Sequence, residues 1–134
     1  MMSLENQLCT LEQAKKFDEL GVKAESYFVW ITGVDGQLKP FISVKDHACW
    51  KPETLKHSYP AYSCSELGVM LPDSIRKNGK VSYLQTHKDE DSFLCIYPEI
   101  KGLHAQSEHE AHSKSDLALE LVEKGIIKPE GLKL

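Results

Sequence analysis

Six histidines and four cysteines are the residues of this 134-residue chain most capable of metal or nucleophilic chemistry. Imidazole and thiolate are the usual zinc ligands, and thiolate is the attacking form of cysteine. His47-Ala48-Cys49, His57 and Cys64 lie in one stretch without clear periodicity. Structural zinc sites draw on closely spaced ligand pairs repeated at set intervals, and this arrangement lacks them. His104, His109 and His112 surround the start of a C-terminal helix, with Glu108 as a further oxygen donor. They do not form His-Glu-x-x-His, which places two imidazoles at i and i+4 around a glutamate. No metal site and no cofactor is expected.

Nucleophilic catalysis needs a thiol or hydroxyl on a tight turn beside a base. No Gly-x-Ser-x-Gly elbow occurs, and no Cys-x-x-Cys pair links Cys9, Cys49, Cys64 and Cys95. The cysteines therefore read as free thiols used as small buried apolar groups. Cys95 lies among apolar strand residues and is expected to be buried and unreactive. Cys64 falls in the first turn of a short helix, where amide dipoles would lower its pKa. A Cys- or His-dependent enzyme is the third reading of the chain. The run Asp89-Glu90-Asp91 reads as a solvated turn, and no phosphate loop, dinucleotide fingerprint or calcium loop is present.

One basic cluster stands out. Arg76-Lys77-Asn78-Gly79-Lys80 places three cations at a predicted hairpin tip, with Tyr83 and His87 near enough to stack on bases. Arg76, Lys77 and Lys80 are thus candidates for nucleic-acid contact. The net charge of −4 opposes non-specific binding, and lysines on a hairpin also block edge pairing.

The elements that position these groups follow from capping and periodicity. Thr10 to Gln13 fits a capping box, Leu11, Ala14, Phe17 and Leu20 recur at helical spacing, and Gly21 stops the helix. Tyr27 to Thr32 reads as a strand apolar on both faces, followed by a Gly33–Gly36 turn and a second strand through Leu38, Pro40, Ile42 and Val44. Residues 45–62 read as a surface connection re-entering at Tyr59-Pro60-Ala61-Tyr62. Ser63 to Glu66 caps a short helix that Pro72 stops. Asn78-Gly79 is the strongest two-residue hairpin signal, joining Ser74–Lys77 to Lys80–Gln85. His87–Asp91 reads as a turn, and Ser92–Tyr97 as a strand. Ser107 to Glu110 fits another capping box for a helix to about Lys124, with Ala111, Leu117, Ala118, Leu119, Leu121 and Val122 as its apolar stripe. Gly125 ends it, with Ile126 and Ile127 packing back.

Together these predict one α+β domain over residues 1–134, loose from about residue 128. It holds an antiparallel sheet of four or five strands, with the first and last helices packed on it as two layers or as an α-β-α sandwich. The apolar share of 41% and charged share of 27% are those of a globular chain. The N-terminus lacks the character of a secretion signal and no apolar run approaches membrane length, so a cytoplasmic protein without membrane contact is expected. Phe28, Trp30, Trp50, Tyr59 and Tyr62 are expected to form an aromatic patch serving as a partner surface.

The order of motifs carries a resemblance. Leu11-x-x-Ala14-Lys15-Lys16-x-x-x-Leu20-Gly21 precedes an aromatic strand. Tyr59-Pro60-Ala61, Ser65-Glu66-Leu67-Gly68-x-x-Leu71-Pro72 and Asp91-Ser92-Phe93-Leu94-Cys95-Ile96-Tyr97 follow, and the last helix ends in Glu123-Lys124-Gly125-Ile126-Ile127. The chain resembles small proteins carried by phages, prophages and other mobile elements of gut Bacteroidetes-type bacteria, a family without assigned activity. The resemblance implies a mixed α+β fold and a mobile-element setting. With no catalytic motif present, the leading expectation is a non-enzymatic, protein-binding accessory module acting as a homodimer. A nucleic-acid-associated protein using the basic hairpin is the alternative.

Overall fold

The computed structural model describes residues 3–32, 41–44 and 58–134. After a 3-10 turn at Leu4–Gln7, the chain enters helix α1 (Leu11–Glu19) through the expected capping box. The Gln13 amide donates to Thr10 Oγ1 (3.1 Å), and the Thr10 amide donates to Gln13 Oε1 (2.9 Å). Gly21, at φ +86°, closes the helix as Val22 N–H reaches back to the Phe17 carbonyl (2.9 Å). That is the Schellman stop the sequence predicts. The buried amide of Gln13 donates to the His112 carbonyl (3.0 Å) and to Asp116 Oδ1 (2.7 Å). It joins α1 to the C-terminal helix.

Strand β1 (Phe28–Ile31) is the centre of a three-stranded antiparallel sheet, between β2 (Phe41–Val44) and β3 (Ser58–Pro60). Val29, Trp30 and Ile31 are all buried, so both faces of this strand are covered as its composition requires. Trp30 donates its indole N–H to the Cys9 carbonyl (3.0 Å), which satisfies the one polar group it takes into the core. The predicted Gly33–Gly36 turn, Leu38 and Pro40 lie outside the described residues. So do His47, Cys49, Trp50 and His57.

Helix α2 (Cys64–Met70) carries the second capping box, between Ser63 and Glu66. The Asn78-Gly79 turn joins β4 (Ser74–Lys77) to β5 (Lys80–Tyr83), with both turn residues at positive φ (54° and 79°). This is the geometry of the two-residue hairpin read from the dipeptide. A second three-stranded antiparallel sheet follows, with β7 (Phe93–Ile96) between β6 (Gln85–Lys88) and β8 (His104–Ser107). Helix α3 (Glu110–Glu123) lies on β7 and β8, and also meets α1 and α2. It ends in another Schellman motif, at Gly125 and Ile126.

The fold is mixed α+β, but the described strands do not join into one sheet of four or five. They form three small antiparallel sheets. The divide falls after Leu84, whose N–H donates to the Asp73 carbonyl (2.9 Å) in the β4–β5 register, while Ser82 Oγ accepts the Glu99 amide (3.0 Å). From Gln85 onward the chain pairs with β7 as β6.

Four local expectations are corrected. Lys80–Gln85 is not one strand, since it breaks at Leu84, and His87 belongs to β6 rather than to a turn. Ser107 does not cap α3, because it pairs with Phe93 as the last residue of β8, and His109 occupies the cap position without a side-chain bond. The tail from residue 128 is packed: Pro129–Gly131 forms a 3-10 turn, and Leu132 joins the core. One continuous cluster of buried apolar residues runs from Leu8 through Trp30, Tyr62 and Tyr97 to Leu132. Among the described residues no helix is long and apolar enough to cross a membrane.

Candidate functional site

Cys64 occupies the first position of α2, immediately after its cap, and faces the start of α3. Its thiol donates to Glu110 Oε2 (2.8 Å), and the Lys114 ammonium donates to Sγ (3.5 Å). Lys114 also stands 3.9 Å from Glu110, one helical turn away. The expectation of a lowered pKa is overturned. Burial pushes the thiol up to about 11, and the carboxylate that accepts its proton adds to the effect; Lys114 opposes it only in part. At neutral pH this group is a thiol held between two helices, not a poised thiolate.

This has a measurable consequence. Site-resolved iodoacetamide labelling should be slow at Cys64 at pH 7 and should keep accelerating well beyond the ordinary thiol value of 9.0. Glu110→Gln should move the midpoint down. A Cys64 labelling midpoint below 9.0 in the unaltered protein would contradict this account.

Beside Cys64 opens a groove of about 330 Å³ lined by Leu4, Leu8, Phe28, Phe93, Cys64 and Glu110, among others. Its rim is apolar. Tyr27, 62% exposed, packs edge-on against Phe28 with ring centroids 5.1 Å apart. Tyr27 N–H is held by Glu66 Oε2 (2.9 Å), and Val69, three residues along α2 from Glu66, is 69% exposed. Leu4, in the groove's lining, is 45% exposed. Leu4 and Phe28 line the groove and Tyr27 packs on Phe28; we refer to these three, with Val69 exposed on α2, as the crescent.

The predicted aromatic patch does not survive as a surface. Trp30 is buried, and Tyr62 is wholly buried with its hydroxyl on the Ala24 carbonyl (2.6 Å). Both serve cohesion, because each can satisfy its polar atom inside the core. Tyr59 is half-buried in β3 with the Lys15 ammonium 6.0 Å from its ring. Phe28 alone of the five contributes to the crescent, and Trp50 lies outside the described residues. Sequence reasoning missed Leu4, Tyr27 as an outward ring, and Val69. Lone apolar residues carry no signal of exposure when their neighbours come from distant elements.

Arg76, Lys77 and Lys80 are all exposed on the β4–β5 hairpin, as read. His104 is exposed in β8, while His109 and His112 stack edge-on at 5.0 Å at the start of α3. Burial lowers the His112 pKa, which favours the neutral imidazole. Among the described residues no three His, Cys, Asp or Glu side chains are grouped to hold a metal ion. No protein-family model, curated protein or solved structure matches this chain.

Proposed function

We propose that this chain is a non-enzymatic protein-binding accessory module of a phage or other mobile element, acting as a homodimer through the Leu4–Tyr27–Phe28–Val69 crescent. One observation carries the reading. Of the six exposed large apolar side chains among the described residues, Leu4 lines this groove and Tyr27 packs its ring on Phe28, which lines it too. Contiguous apolar surface of that kind is uncommon on a monomer and marks an interface, with aromatic residues as its anchors. The Tyr27 ring projects beside a groove lined by Leu4, Leu8, Phe28 and Phe93. A protruding ring next to an apolar recess is self-complementary under a two-fold axis, where each copy supplies both knob and hole. The mobile-element setting rests on the resemblance of sequence motifs.

Sedimentation velocity over a micromolar concentration series tests this. The chain should sediment as a dimer, and Tyr27→Ser should weaken association roughly thirtyfold without changing the melting temperature. A monomer at every concentration would overturn the proposal. So would a dimer indifferent to Tyr27→Ser and Val69→Ser together.

A further inference from the structure

The other exposed apolar pair, Val81 and Tyr83, lies on the β4–β5 hairpin. Strand register decides what accompanies it. Ile75 pairs with Ser82, and both point into the protein; Arg76 pairs with Val81 and Ser74 with Tyr83, so those four share the outward face. Tyr83 presents its ring there, 66% exposed. Lys77 pairs with Lys80 at the tip, flanking the Asn78-Gly79 turn. Below the tip a cleft of about 260 Å³ brings Lys77 and Lys80 together with Lys101, beside Glu99.

Residues 74–83 hold three cations and no carboxylate, in a chain whose net charge is −4. No ion pair joins Arg76, Lys77, Lys80 or Lys101 to a carboxylate among the described residues. By this register Arg76 shares the face of Tyr83, whereas Lys77 and Lys80 share that of Ile75 and Ser82, and Lys80 and Tyr83 meet again in lining a neighbouring recess with Glu99. The hairpin is also a firm platform. Ile75 and Ser82 are buried, Ser82 Oγ accepts the Glu99 amide, and Tyr97 Oη donates to the Pro72 carbonyl (2.6 Å) next to β4.

We propose that this hairpin binds single-stranded nucleic acid. Lys77, Lys80 and Lys101 contact successive phosphates on one side of the hairpin, the strand passes its edge at Lys80, and the Arg76 guanidinium on the face of Tyr83 takes a further phosphate in bidentate fashion. Tyr83 stacks on a base. Cations tracking a backbone beside a ring that stacks without hydrogen-bond readout are the recurring elements of sequence-tolerant single-strand binding. A duplex fits less well, because its bases are already stacked and would leave Tyr83 without a partner. The site is separate from the crescent and does not rest on dimerisation.

Fluorescence anisotropy of the full chain with labelled oligothymidylate and oligouridylate, titrated with salt, reads this directly. Binding should appear at low salt, with log K falling against log salt at a slope of about 2 to 3, as three or four released counterions require. Lys77→Gln with Lys80→Gln should reduce that slope by about 1.4. Tyr83→Ser should weaken binding roughly tenfold while Tyr83→Phe retains it, since the ring face does the stacking. Tyr27→Ser should leave binding intact, which separates this result from the fate of the dimer. Absence of retention at low salt would overturn the proposal, as would a slope untouched by the double lysine change. Equal affinity for heparin, with no loss on Tyr83→Ser, would also overturn it and identify a bare polyanion patch.

Discussion

Replacing Tyr62 by alanine is expected to lower the unfolding free energy by about 4 kcal/mol, measured by chemical denaturation. The ring is fully buried, packs edge-on against Phe17 at 5.1 Å, and anchors its hydroxyl on the Ala24 carbonyl. Truncation leaves a cavity between α1 and the strand-to-helix junction at Ala61–Ser63. Domains of this size are stable by only about 5–15 kcal/mol, so the change removes a large share of the margin. Tyr62→Phe keeps the volume and loses one hydrogen bond, which should cost about 1 kcal/mol. Ordinary stability of Tyr62→Ala would show that this ring is a surface group after all.

Glu66→Ala should cost about 2 to 3 kcal/mol by the same measurement, more than an ordinary helix cap. Its carboxylate accepts three donors from two segments: the Ser63 amide (2.9 Å), the Ser26 hydroxyl (2.7 Å) and the Tyr27 amide (2.9 Å). One side chain therefore caps α2 and fixes the entry of β1. Ser63→Ala removes only the cap oxygen that accepts the Glu66 amide (3.2 Å), and should cost about 1 kcal/mol. Equal effects of Glu66→Ala and Ser63→Ala would mean the bonds to Ser26 and Tyr27 contribute nothing. Because Tyr27 belongs to the crescent, Glu66→Ala should also disturb self-association, whereas Ser63→Ala should not.

Local signals were legible wherever a residue's partners lie within a few positions. Thr10 with Gln13, Ser63 with Glu66, Gly21 and Gly125 as helix stops, and Asn78-Gly79 all act within one turn of chain. β6 and β8 escaped notice because their ladders are made by partners rather than by pattern. β6 is exposed at all four positions, and β8 buries only Ala105 of its four residues, so neither shows apolar alternation. The same short, polar strand claimed Ser107 and displaced the cap expected for α3.

The sequence by itself determined where α1 and α2 begin, where α1, α2 and α3 end, which dipeptide reverses the chain, and that β1 must be covered on both faces. Those outcomes depend on backbone preference and hydrophobic spacing, which act locally. Tertiary structure alone decided that Cys64 meets Glu110 and Lys114 across 46 and 50 positions, and so is a proton-holding thiol rather than a thiolate. It also decided that Tyr62 is core while Tyr27 faces out, and that Tyr83 shares a face with Arg76. Exposure and charge environment are sums over neighbours brought from remote segments, and no window of sequence contains them.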